Sequence, residues 1–234
     1  YVAFLNAGLG EAAGTFVFHN DLAWIRHGLG QNDAAAAEIL EAAAAATEKD
    51  WQQLHYVVGS VVAWSDPIEK GVELVNALAA NAPQSAKVLL AKVCISAAGR
   101  YVGGPDFQKS ARFADVAKGF NVATDDVARP LQVLDRLVQA QSLAKAGNFG
   151  GSASALSAAT DAAAGDTNWI EVIYATSVNL ARDRAAAKDR AGAQSYLAFM
   201  TREPMIVSAW RIHTEAARLD VSLQDFQNAE AQLA

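Results

Sequence analysis

Residues 51–83, WQQLHYVVGSVVAWSDPIEKGVELVNALAANAP, decide how this chain folds. Leu54, Val58 and Val61 recur at helical spacing in the first half, and Leu74 and Ala77 do so in the second. Ser65-Asp66-Pro67 interrupts the pattern between them and Pro83 closes it. The stretch therefore predicts two amphipathic helices joined by one tight turn.

The same layout recurs outward in both directions. Alanine is used heavily and only five prolines occur, which favours helix because alanine loses no side-chain entropy there. No run of alternating apolar and polar residues marks a strand after residue 20. Polar turns fall at Gly30-Gln31-Asn32-Asp33, Ser65-Asp66-Pro67, Gly103-Gly104-Pro105-Asp106, Gly147-Asn148, Lys188-Asp189 and Gln224-Asp225. With Asn32, Asp66, Asp106, Asn148, Asp189 and Asp225 as markers, the intervals are 34, 40, 42, 41 and 36 residues. Four residues after the marker stand Ala36, Lys70, Ser110, Ser152, Ala193 and Ala229; eight after stand Leu40, Leu74, Ala114, Leu156, Leu197 and Leu233. Offsets of four, eight and eleven lie on one helix face, so these positions are expected to point inward from the second helix of each pair. Eight residues before the marker come Trp24, Val58, Ala98, Ala140, Ala181 and Ala217, mostly small side chains that let two helices approach closely. Trp24 is the exception, and a one-residue shift of the first turn would put Ala23 there.

This pattern resembles the tetratricopeptide repeat family over residues 17–234, as six degenerate helix pairs. The pair at 51–83 is the nearest match, followed by LAKAGNFGGSASALSAA with Gly147, Asn148, Phe149, Leu156 and Ala159. Pairs three to five are longer than the family's repeat of about 34 residues, and Lys70 stands where a small residue is usual. HEAT-like and Sel1-like arrays share such spacing. The resemblance implies an all-α fold, a right-handed α-solenoid of about six antiparallel helix pairs, with residues 1–16 as a leading segment or incomplete helix. It also implies a concave groove, lined by first helices, that binds protein or peptide and does no chemistry.

Composition narrows the function classes. The net charge of −6 and pI of about 5.2 argue against general attraction to nucleic acid or an anionic membrane. The apolar opening, Tyr1 to Phe18, is broken by Asn6, Glu11 and several glycines, so no membrane span of about 20 residues is expected. A single cysteine, Cys94, forms no internal disulfide, and the compartment stays open.

Candidate chemical signals are weak by comparison. Gly8-Leu9-Gly10-Glu11-Ala12-Ala13 superficially matches a dinucleotide fingerprint, but no following strand supplies the sheet that motif needs. His19, His27 and His213 lack the three- or four-residue spacing of helical metal ligands, and Cys94 reads as a buried thiol. No cofactor, metal or catalytic residue is expected. The five tryptophans, Trp24, Trp51, Trp64, Trp169 and Trp210, are expected to fill gaps between pairs. On the family's groove-lining positions stand Arg182, Arg211 and Arg218, which together suit carboxylates of an acidic or carboxy-terminal peptide. His55 and Gln141 join them as candidate peptide contacts, among Gln52, Gly59, Lys92, Ile95, Gly99, Leu134 and Leu137, a weakly charged set suited to an apolar helix. The lysine and asparagine pattern of the family's chaperone-tail clamps is missing. The expected function is thus a non-enzymatic protein- or peptide-binding scaffold. A structural subunit that associates with itself or builds a larger complex is the first alternative, and a helical accessory region of a larger enzyme the second.

Overall fold

The computed structural model describes residues 15–202, 209–224, 228, 229 and 231. The fingerprint-like Gly8–Ala13 stretch, the marker Asp225 and the inward position Leu233 lie outside them. Among the described residues the chain forms eleven α-helices: α1 Phe16–Gly28, α2 Asn32–Ala45, α3 Trp51–Ala63, α4 Ile68–Asn81, α5 Gln84–Tyr101, α6 Phe107–Gly119, α7 Asp125–Lys145, α8 Phe149–Ala163, α9 Thr167–Ala186, α10 Arg190–Arg202 and α11 Ala209–Ser222. None of the described helices is long and apolar enough to cross a membrane.

The turns follow from capping chemistry. The Asn148 side chain accepts from Gly151 N at 2.9 Å, and Asp189 Oδ1 accepts from Gly192 N at 3.0 Å, so both satisfy amides that the first helical turn leaves without partners. The residue before each cap lies in the left-handed region: Gly147 at φ 78 and Lys188 at φ 58. Paired backbone bonds close both turns, Asn148 N to Leu143 O at 2.9 Å and Asp189 N to Arg184 O at 2.8 Å. The first turn has the same form one residue earlier than its marker, with Gly30 at φ 74 and Gln31 N donating to Arg26 O at 2.9 Å. Asn32 is then a helical residue rather than a cap, and its Oδ1 lies 2.8 Å from His27 Nδ1. In the second turn Pro67 takes the capping position in place of Asp66.

These shifts repair the register. Counting from Gln31, the inward positions of α2 are Ala35, Ile39 and Ala42, all buried, whereas Leu40 is 41% exposed. Counting back eight gives Ala23, fully buried, while neighbouring Trp24 is 40% exposed. Counting from Pro67 gives Gly71, Val75 and Leu78, all buried, and leaves Lys70 and Ala77 exposed, while the unshifted positions Val58 and Leu74 are buried as expected. Lys70 is therefore no departure from the pattern, because Gly71 is the small residue of that pair. In the later pairs the unshifted positions Ser110, Ala114, Ala117, Ser152, Leu156, Ala159, Ala193, Leu197 and Met200 are buried. Trp51 fills the core as expected, but Trp64 and Trp24 are exposed and Trp169 is only partly covered. The Trp210 side chain lies outside the described residues.

Contacts between helices divide the chain into two compact units, Tyr1–Ala97 with Arg112–Val127 and Ala98–Ala111 with Ala128–Ala234. In the first unit α1 packs on α2, α2 on α3 and α3 on α4, and α1 also packs on α3 and α2 on α4. The second unit repeats this order: α8 on α9, α9 on α10, α10 on α11, then α8 on α10 and α9 on α11. Within each unit, then, a helix contacts both its sequence neighbour and the helix beyond.

The register has a direct consequence at Gly71. A Cβ there would lie 3.1 Å from Ser65 Oγ and 3.3 Å from the Val62 carbonyl oxygen. Gly71→Val is expected to cost about 1–3 kcal/mol through overpacking, while Lys70→Ala stays within about 0.5 kcal/mol. Urea denaturation midpoints compare the two; equal costs would return the inward position to Lys70.

Candidate functional site

In the second unit, α9 and α11 lie against each other and carry most of the charged candidates. Glu171, Tyr174 and Arg182 share one face of α9, spaced at three and eight residues. Arg211, Glu215 and Arg218 share one face of α11, spaced at four and three. The two faces meet as a ladder of opposite charges. Arg182 Nη2 donates to Glu215 Oε2 at 2.6 Å, and Arg218 Nη1 donates to Glu215 Oε1 at 2.7 Å. Further along, Arg211 Nη1 donates to both oxygens of Glu171, at 3.1 and 3.0 Å.

Tyr174 sits among these groups. The Arg211 guanidinium stands 5.0 Å from the centre of its ring, and its hydroxyl donates to the Arg211 carbonyl at 3.4 Å. Burial pushes its ionisation above the ordinary value of 10.0, and the Glu215 and Glu171 carboxylates push the same way, against Arg211 and Arg182.

The three predicted arginines divide into two clusters. Arg182 and Arg218 converge on Glu215, which is only 12% exposed and whose two oxygens are both occupied. Arg211 is instead engaged with Glu171 and the Tyr174 ring. A cavity of about 470 Å³ opens beside the first cluster, lined among others by Arg182, Lys188, Glu215, Arg218 and Leu219.

The other two candidates lie elsewhere. His55 packs against Tyr56 with ring centroids 4.0 Å apart and planes tilted by 38°, and its Nδ1 is buried with no hydrogen-bond partner. Gln141 is only 8% exposed, and its amide donates to the Val102 carbonyl within the second unit. Ile95, Leu134 and Leu137, expected on an apolar groove, are buried core residues. Lys92 is exposed and paired with Asp126. Cys94 is buried, which pushes its thiol up to about 12 and disfavours the thiolate. Among the described residues no group of three acidic, histidine or cysteine side chains is placed to hold a metal ion.

Sequence reasoning names the three arginines but not Glu215, Glu171 and Tyr174, which the structure places in contact with them, nor Lys188, which lines the same cavity as Arg182 and Arg218. Glu215 was within reach, since it lies four residues after Arg211 and three before Arg218 on one helix. The Glu171–Arg211 pair spans 40 residues and has no local signal.

Comparison with protein-family models, with characterised proteins and with solved structures gives no match to this chain.

The environment of Tyr174 yields a titration test. Glu215→Gln removes a negative charge that opposes the phenolate, so ionisation of Tyr174 should move back toward 10.0, while burial still holds it above that value. Tyrosine Cζ chemical shifts followed against pH measure this. An unchanged midpoint would separate Glu215 from Tyr174.

Proposed function

We propose that the chain is a right-handed α-solenoid of helix pairs, similar to tetratricopeptide arrays, that works as a non-enzymatic scaffold for an acidic protein or peptide segment. The packing of first helices on first helices and second on second supports the solenoid reading, as does the recurrence of small buried residues at matching positions. Binding is assigned to the face formed by α9 and α11.

One observation carries the functional part. Arg182 and Arg218 approach from two different helices and share a single carboxylate, so their positive charge is only half neutralised. Each guanidinium spends one of its five N–H donors on Glu215 and keeps the others for a ligand. Glu215 thereby fixes two long side chains in place and reduces the rotamer entropy they lose on binding. Arg211 lies on the same face, but its charge is matched by Glu171. It therefore contributes less than its sequence position implies.

Replacing Arg182, Arg211 and Arg218 together by alanine is expected to weaken capture of labelled acidic peptides by about tenfold or more, with little change in thermal midpoint. Fluorescence anisotropy with a pool of acidic hexapeptides measures it. Unchanged affinity would remove the arginines from the binding face.

A further inference from the structure

The cavity beside Arg182 and Arg218 has more charge than a single carboxylate needs. Its lining brings three cations, Arg182, Lys188 and Arg218, against one carboxylate, Glu215, leaving two positive charges in excess. Lys188 makes no ion pair among the described residues. Both oxygens of Glu215 are already occupied, so it orients the two guanidinium groups without closing off their remaining donors. Ala185 and Leu219 supply an apolar wall, which lowers local solvation and strengthens the pull on an anion.

Lys188 reaches the cavity from the turn that follows α9. It lies at φ 58, at the turn position where the first and fourth pairs place Gly30 and Gly147, residues that pay no steric cost there. Lys188 lines the cavity, and its left-handed backbone is one that glycine adopts at no steric cost.

We infer that the cavity formed by Arg182, Lys188, Arg218 and Glu215 receives a phosphomonoester dianion, presented as a phosphorylated side chain of the partner. A phosphomonoester carries a charge of about −1.5 to −2 near neutral pH and three acceptor oxygens, which match the excess charge and the divergent donors better than a carboxylate does. This inference rests on the α9–α11 face being the binding face, and narrows its ligand.

The test is an NMR titration of the whole chain, following arginine Nε–Hε and backbone amides near residues 182–188 and 215–222. Three probes are added in turn: N-acetyl-phosphoserine amide, N-acetyl-glutamate amide and inorganic phosphate. Phosphoserine amide is expected to perturb Arg182 and Arg218 and to bind about tenfold tighter than glutamate amide. Lys188→Gly suits the left-handed backbone, so it should leave the thermal midpoint unchanged or raised while weakening phosphoserine binding about fivefold or more. Loss of binding in that variant is then not loss of fold. Equal binding of the glutamate and phosphoserine probes would overturn the dianion inference and leave the acidic-partner reading intact. Binding of inorganic phosphate alone would overturn the assignment to a phosphorylated side chain. Failure of all three probes to perturb the arginines would overturn both the inference and the binding face it depends on.

Discussion

The fold depends on how closely the two helices of one pair can cross. In the fourth pair the crossing is visible directly: Ser152 Oγ donates to the Ala140 carbonyl at 2.7 Å, so side chain touches backbone with nothing between them. Ala140 stands eight residues before the cap Asn148, and Ser152 four after it. Ala181 with Ala193, and Ala98 with Ser110, occupy the same two positions in other pairs, and all four are fully buried. A larger residue there forces the helices apart and breaks the contacts that larger side chains such as Leu156 and Met200 make nearby. Small residues at the crossing and large ones beside it are therefore a single requirement. Tyr196 extends it to the next pair, since its hydroxyl donates to Ser152 Oγ at 2.9 Å.

That requirement explains what was legible in the sequence. Small residues at fixed offsets from Asn or Asp at a turn leave a pattern that needs no knowledge of the partner helix. Where the marker residue is itself the cap, as at Asn148 and Asp189, the reading held to the residue. Where another residue takes the capping role, some offsets counted from the marker fall one residue off, although Val58 and Leu74 of the second pair are buried at theirs. Asn32 bonds to His27 instead of capping, and Pro67 displaces Asp66, so Leu40, Ala77 and Trp24 were placed inward when their neighbours are. A side chain with two available partners does not announce its choice in sequence.

The candidate site was only partly legible, for a different reason. Arginine positions follow from helix periodicity, but their net effect depends on which carboxylates reach them. Glu171 cancels Arg211 across 40 residues of chain, while Glu215 is divided between Arg182 and Arg218. Gln141 and Leu134 read as groove residues and lie buried, because periodicity alone does not tell which side of a helix the next pair covers. The overall charge of −6 is also a poor guide to this face. Salt screens charges beyond about 8 Å at physiological ionic strength, so a local excess of cations acts on a ligand at contact whatever the remainder of the chain carries.

The central claim is that an anionic segment of another polypeptide lies against Arg182 and Arg218. A photo-crosslinking residue at Ala186, exposed on the wall of the same cavity, tests it most directly when the captured peptide is sequenced by mass spectrometry. The account expects crosslinks to a segment bearing acidic or phosphorylated residues, lost when Arg182 and Arg218 are both replaced by alanine. Crosslinks to segments without such residues, or equal yields with the arginines gone, would contradict it.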